Sequence, residues 1–112
     1  MTVPNLNRAL VLETRQNLAD GAGGVDPAWM ALGTLWADVS ARTGTESVIG
    51  GRQTPRQRFR IVVRAAPFGA PSRPRPDQRF RDGDRIFNIN AVTEFDPPGH
   101  YLICDCEEGG VS

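Results

Sequence analysis

The residues from Arg58 to Arg64 alternate strictly between two chemical faces, and this pattern restricts the fold more than any other. In an extended chain, Phe59, Ile61 and Val63 face one way, whereas three arginines and one valine face the other. A period of two residues is typical of a β-strand with one face on a core. The segment therefore predicts a sheet with one buried side.

Weaker alternation recurs along the chain, and glycine or proline turns separate the segments. Asp82-Gly83 predicts a tight turn, and Phe95–Gly99 predicts another. Helical spacing also fits Trp29, Leu32 and Trp36, but no long helix is indicated. The fold class we predict is all-β and mainly antiparallel, a small barrel or sandwich of about five to six strands with long loops and at most one short helix. The further strands are predicted at Leu6–Thr14, Ala28–Val39, Arg85–Glu94 and His100–Cys106.

Two stretches are predicted to be long loops within one domain that spans residues 1–112. Residues 41–57 contain Gly44 and the pair Gly50-Gly51, so we expect little regular structure there beyond one helical turn near Glu46–Ile49. Residues 67–76 hold four prolines and two arginines and should be extended outside any central strand.

The charges are balanced in sum but separated along the chain. Thirteen arginines, with no lysine, face thirteen acids. Ten of the arginines and only three acids lie between Arg52 and Arg85. Zero net charge argues against a general nucleic-acid coat protein. The longest apolar runs are too short for a membrane span, and we expect a soluble, intracellular domain.

The residues that often carry chemistry do not form a catalytic or metal-binding pattern. His100 is the only histidine, and we interpret it as a turn or interface residue. Cys104 and Cys106 share one face of a predicted strand but lack a second ligand pair, so buried free thiols are the better interpretation. Asp82-Gly83-Asp84 lacks the other ligands of a calcium loop. We therefore expect no catalytic residues, no metal and no cofactor, and predict that the protein is not an enzyme.

Five stretches of scaffold residues, taken in order, form a pattern over roughly Leu6 to Gly109. They are Leu6-Asn7-Arg8, Gly23-Gly24 with Trp29, Leu35–Val39 followed by Gly44 and Glu46, Arg58–Arg64, and Gly83–Ile89 leading to Tyr101-Leu102. In this order and spacing, the stretches resemble the head–tail joining (head-closure, or stopper) family of tailed phages and phage-like gene transfer agents.

The resemblance implies a small β-barrel protein in the head–tail interface of a phage-like particle assembled in the bacterial cytoplasm. Such proteins form a ring of about six or twelve copies. The partners implied are a portal or adaptor protein on the head side, a tail terminator or tail tube protein on the tail side, and double-stranded DNA in transit. No membrane partner is implied.

The separated charges suit a ring, because ring contacts join unlike faces. We expect a basic set of residues on one subunit to meet an acidic set on the next. The alternative is that the same charges pair across strands within one barrel. The basic set is Arg56, Arg58, Arg60 and Arg64, and the acidic set is Glu94, Asp96, Asp105, Glu107 and Glu108. A channel through which DNA must leave should not bind the DNA tightly, so we expect at most Arg42 or Arg52 near the bore.

Residues 41–57 are a candidate channel gate. Folded back on itself, the segment could reach roughly 26 Å, at about 3.3 Å per residue. The alternative is a disordered surface loop. The candidate gating residues are Gly44, Glu46, Val48, Ile49, Gly50, Gly51 and Arg52.

Three residues are candidates for docking a partner protein, because aromatic and arginine side chains often anchor interfaces. They are Trp29, Arg73 and Arg75. Trp29 and Trp36 have opposite strand parity, so we expect at least one of the two in the core. The rival function is a standalone OB- or SH3-like module that binds nucleic acid or peptide through Arg58–Arg64.

Overall fold

The computed structural model describes residues 3–19, 25–42, 46–49, 52–55 and 57–109, with side chains in 3–16, 28–42 and 57–109. It contains eight strands and no helix within these ranges. None of the described residues forms a helix able to cross a membrane. The strands are β1 (Arg8–Ala19), β2 (Val25–Arg42), β3 (Glu46–Ile49), β4 (Arg52–Pro55), β5 (Arg58–Arg64), β6 (Arg79–Asp82), β7 (Arg85–Glu94) and β8 (Tyr101–Gly109).

Six of these strands close into an antiparallel barrel, which confirms the predicted fold class. The order around the barrel is β1-β2-β5-β8-β7-β6, and β3 pairs only with β4. The alternation in β5 places Phe59, Ile61 and Val63 in the interior as predicted. Phe59 meets Phe87 edge to face, with ring centroids 5.0 Å apart. Each large buried side chain stabilises the fold by about 1.5–3 kcal/mol.

The predicted turn at Asp82-Gly83 is confirmed. Asp82 pairs directly with Arg85, so Gly83 and Asp84 form a two-residue connection. Gly83 has φ +61°, a backbone conformation in which glycine avoids the steric clash of a Cβ. The charged Arg8 pairs with Asp82 and links the start of β1 to this turn.

A β-bulge interrupts the pairing of β1 with β2. Leu12 pairs with Gly33 and Glu13 pairs with Ala31, so Leu32 is the extra residue. Gly33 takes φ +149°, which side-chain-bearing residues rarely adopt. Beyond the bulge, Thr14–Ala19 and Val25–Met30 pair only with each other. We call this two-stranded extension the arm.

The prediction that residues 41–57 have little regular structure is wrong where the chain is described. Glu46–Ile49 and Arg52–Pro55 form a two-stranded antiparallel sheet, the β3–β4 hairpin, instead of a helical turn. The β-branched residues Val48, Ile49 and Thr54 favour extended backbone. Four-residue strands are too short for their period to be recognised, which explains the miss.

Antiparallel pairing divides the protein into two ends. The arm end carries the arm, the segment 65–78 between β5 and β6, and the turn 95–100 between β7 and β8. The hairpin end carries the β6–β7 turn and the β3–β4 hairpin, because Arg42 and Arg58 flank that hairpin and pair with each other.

Candidate assembly surfaces

A buried ion pair lies on the outside of the barrel, where the arm begins. Nε of Arg79 donates to Oε1 of Glu13 at 2.7 Å, and Nη1 of Arg81 lies 3.8 Å from Oε2 of the same carboxylate. The Arg79 guanidinium lies 4.0 Å from the ring centroid of Trp29, and that of Arg15 lies 5.6 Å from it. The half-buried tryptophan therefore covers the ion pair and ties the arm to the barrel.

Trp29 and Trp36 lie on the same outer face, contrary to the expectation from parity. Trp29 pairs with Arg15 and Trp36 pairs with Ala9, and both partners are odd-numbered residues of β1. The buried Leu10 is on the opposite face of that strand. The bulge shifts the period by one residue between the two tryptophans. The expectation that one of them is in the core is wrong, because Trp29 is half-buried and Trp36 is 59% exposed.

Barrel closure brings the predicted basic and acidic sets together within one subunit. Arg58 lies opposite Glu107, and Arg60 lies opposite Asp105, in the β5–β8 ladder. Asp105 nevertheless accepts a hydrogen bond at 3.0 Å from Arg42 rather than from Arg60. The Arg60 guanidinium lies 5.5 Å from the ring centroid of Phe95.

Two other members of the acidic set have intramolecular partners. Glu108 receives two hydrogen bonds from Arg85, at 2.9 and 3.1 Å, and this hydrogen bonding raises the pKa of Arg85. The buried Asp96 accepts from the backbone N–H groups of His100 and Tyr101, at 2.9 and 3.1 Å. Its carboxylate therefore holds the β7–β8 turn together.

Three members of the two sets have exposed side chains, and a fourth lies outside the described residues. Arg60, Arg64 and Glu94 are exposed, and none has an ion-pair partner within the described part of the chain. Arg56 lies outside the described residues. Among the described members of the two sets, Arg60, Arg64 and Glu94 are therefore available to contact a neighbouring molecule.

The proline-rich segment holds an aromatic side chain in solvent at the arm end. Phe68 is 86% exposed, and the Arg73 guanidinium lies 3.8 Å from its ring centroid. Nη1 of Arg73 donates to the carbonyl of Ala66 at 2.9 Å. The Arg75 side chain is exposed nearby in sequence. All three predicted docking residues, Trp29, Arg73 and Arg75, therefore lie at the arm end.

Four of the seven candidate gating residues lie at the hairpin end, opposite the arm end. Glu46, Val48 and Ile49 are in β3 and Arg52 is in β4. The other three, Gly44, Gly50 and Gly51, are outside the described residues.

The cysteines and the histidine lie in the core and in a turn, respectively. Cys104 and Cys106 are free and buried in the core, as predicted, and burial raises the pKa of both thiols, that of Cys104 to about 12. The exposed His100 is in the β7–β8 turn, with Nδ1 3.3 Å from Oδ2 of Asp96. Within the described ranges, no group of three or more His, Cys, Asp or Glu side chains is arranged to hold a metal.

Sequence reasoning missed the exposed Phe68 and did not establish which of the two tryptophans is on the surface, where Trp36 lies. Neither Phe68 nor Trp36 is in a periodic pattern that distinguishes a surface aromatic from a core one. The neighbouring arginine and prolines were the available signal for Phe68, because they exclude that segment from the barrel.

Comparison with known proteins agrees with this architecture. A chain of the virion of a native gene transfer agent particle is 51% identical and superposes with a TM-score of 0.78, covering 98% of this chain and 100% of that one. Protein SF1141 from Shigella flexneri 2a, at 22% identity and a TM-score of 0.70 over the full length of both chains, shares the fold. No curated protein matches the sequence.

A family model decides the assignment. The model for phage head completion proteins matches residues 1–109, almost the entire chain. The family and the barrel architecture agree with a structural rather than a catalytic role. The chain therefore belongs to the phage head completion protein family and has a structural role in the head of a phage-like particle.

Proposed function

We propose that the protein is a stopper, a ring-forming connector that closes the DNA exit channel after packaging and docks the tail. The ring lies between a portal or adaptor protein and a tail terminator or tail tube protein, with DNA passing through it during transfer. The observation that carries this proposal is the 51% identity, over nearly the whole chain, to a protein of a gene transfer agent virion. Because the similarity covers nearly the whole chain, we expect this protein to have surfaces that suit a similar position in a particle.

The two unlike ends of the barrel support a connector. A connector binds different molecules at its two ends, and the arm end carries exposed Phe68 whereas the hairpin end carries paired charges such as Arg85–Glu108. A lone binding module needs only one such surface.

The exposed charges support contacts between subunits. Arg60 and Arg64 lie on β5 with no ion-pair partner within the described residues, and Glu94 ends β7 in the same state. A ring contact between Arg64 of one subunit and Glu94 of the next would join unlike faces, as cyclic assembly requires. Raising the salt concentration should then dissociate the ring, since exposed pairs are screened at high ionic strength.

The β3–β4 hairpin is the proposed gate. Its two strands pair with each other and with none of the six barrel strands, so the hairpin can move without breaking a backbone hydrogen bond of the barrel sheet. Several copies that converge from a ring would obstruct a channel. The arginines of β5 are on the outer face of the barrel beside carboxylates, which is a poor arrangement for gripping DNA.

The test is electron microscopy of particles from a producer strain that lacks the gene, with the DNA content of the heads measured in parallel. Separate tails beside heads that packaged DNA but lost it are expected. Normal tailed particles that retain DNA would contradict the proposal. They would favour the rival module, which should be monomeric and bind DNA with a steep salt dependence.

A further inference from the structure

Phe68 is the most exposed large apolar side chain among the described residues, and the loop around it is ordered by hydrogen bonds. The N–H of Ala70 donates to the carbonyl of Pro67 at 3.0 Å, and the N–H of Arg73 donates to that of Ala70 at 3.0 Å. Pro74 is fully buried and fixes the far side of the loop. The exposure of Phe68 is therefore imposed by a folded loop, not by a loose chain.

Phe68 lines a groove of about 360 Å³ at the arm end, together with Arg73, apolar residues such as Leu102, and the Glu94 carboxylate. The phenyl ring stacks on Arg73, whose guanidinium is held by the Ala66 carbonyl. A side chain kept in position before binding loses little conformational entropy when a partner covers it, so its contribution to affinity is large.

We propose that Phe68 is the anchor by which the arm end binds a protein of the adjoining layer of the particle. This inference rests on the proposed connector role and assigns the partner's chemistry. Residues 65–76 contain Arg73 and Arg75 and no acid, and Glu94 supplies one carboxylate to the groove that Phe68 lines, so positive charge is in excess here. The complementary surface is an apolar pocket, which takes the phenyl ring, with carboxylates on its rim, which face the two arginines.

Phe68 lies at one end of the barrel. Its loop leaves the barrel at the ends of β5 and β6, together with the arm and the β7–β8 turn. Because a connector binds a different protein at each end, we assign this loop to a protein of an adjoining layer and not to a second copy of this chain.

The first experiment replaces the chromosomal gene with a Phe68→Ala variant and counts joined particles. Val3→Ala is the matched control, because Val3 is also an exposed apolar residue, at 72%. Removal of an aromatic hot spot weakens binding by roughly 30-fold or more, so we expect a fall of about tenfold or more in joined particles for Phe68→Ala only. The purified variant should unfold at an unchanged temperature and keep its oligomeric mass.

The pattern of failure separates this inference from the proposed function. Normal joining by Phe68→Ala, in a strain where deletion of the gene prevents joining, overturns the anchor and leaves the connector role intact. Normal joining after deletion of the gene overturns both. A loss of oligomeric mass in the purified Phe68→Ala protein overturns the contact with a different protein in favour of a contact between copies of this chain.

The proposed carboxylates on the partner's pocket can be tested separately through Arg75, whose side chain is exposed. Arg75→Glu places a like charge against the proposed carboxylates and should reduce joining further than Arg75→Gln does. Equal joining by the two variants would overturn the carboxylate rim.

Discussion

Nε of Arg79 donates a 2.7 Å hydrogen bond to Oε1 of Glu13 on the outside of the barrel, yet the two side chains are only 10% and 9% exposed. An ion pair on an outward face is usually solvated and contributes little. Here Trp29 covers the pair, so the charges are held in a medium of low dielectric constant. The pair joins β1 to β6 at the point where the arm leaves the barrel.

Removing one partner of this pair should destabilise the protein strongly. We expect Arg79→Ala to lower the free energy of unfolding by about 3–5 kcal/mol, because the Glu13 carboxylate would remain buried without its main counter-charge. Denaturant titration measures the change. Arg42→Ala, which breaks the more exposed pair with Asp105, is the control and should cost about 0–1 kcal/mol. Equal costs for the two variants would contradict this account.

The two tryptophans should differ in their contribution to stability although they share a face. Trp36→Ala removes a largely exposed side chain and should change the unfolding free energy by about 0.5 kcal/mol or less. Trp29→Ala uncovers the Arg79–Glu13 pair and should cost about 2 kcal/mol. Thermal or denaturant unfolding of the two purified variants tests the order, and a larger loss for Trp36→Ala would contradict it.

The sequence was sufficient for elements whose signal is local. The predicted bounds of β5, Arg58–Arg64, and of β7, Arg85–Glu94, match the structure, because strict alternation and the Asp82-Gly83 turn delimit them. The bulge at Leu32 was not predictable from a period of two. It moved Trp29 to the face of Trp36, since one extra residue reverses every later side chain.

Long-range pairing explains the rest of what the sequence did not predict. Barrel closure sets β8 beside β5, so several acids expected to reach a neighbouring subunit have partners or structural roles within their own chain, as Asp96, Asp105 and Glu108 do. The exposure of Phe68 depends on the stacked position of Arg73, which no spacing in the sequence specifies. Function at assembly surfaces depends on such exposure, whereas the fold depends on burial.

The buried thiols should make stability fall in alkaline solution. Burial raises the pKa of Cys104 to about 12 and also raises that of Cys106. In the unfolded chain the pKa of a cysteine thiol is about 8.5. Above about pH 8.5 the unfolded chain therefore binds fewer protons than the folded chain, and stability declines as pH rises, by about 1.4 kcal/mol per pH unit for each thiol.

Denaturant unfolding between pH 7 and pH 10 under reducing conditions checks this decline. The Cys104→Ala/Cys106→Ala variant removes both thiols and should show a flatter dependence, even if its stability at pH 7 is lower. A slope equal to that of the unmodified protein would contradict the assignment. Native protein should also resist thiol-alkylating reagents at pH 8, since the thiolate is the reactive form.

The final prediction concerns the β3–β4 hairpin as a gate. Deletion of residues 44–51 should leave the barrel folded, because β3 and β4 pair with each other and with none of the six barrel strands. Assembly of the ring should likewise be unaffected, whereas particles should lose packaged DNA because the segment no longer reaches across the channel. The measurements are the oligomeric mass of the purified variant and the nuclease-protected DNA per particle. Asp84→Ser, in the β6–β7 turn at the same end of the barrel, is the control and should retain DNA. Full retention of DNA by the deletion variant, in particles that contain it, would exclude the hairpin as the gate.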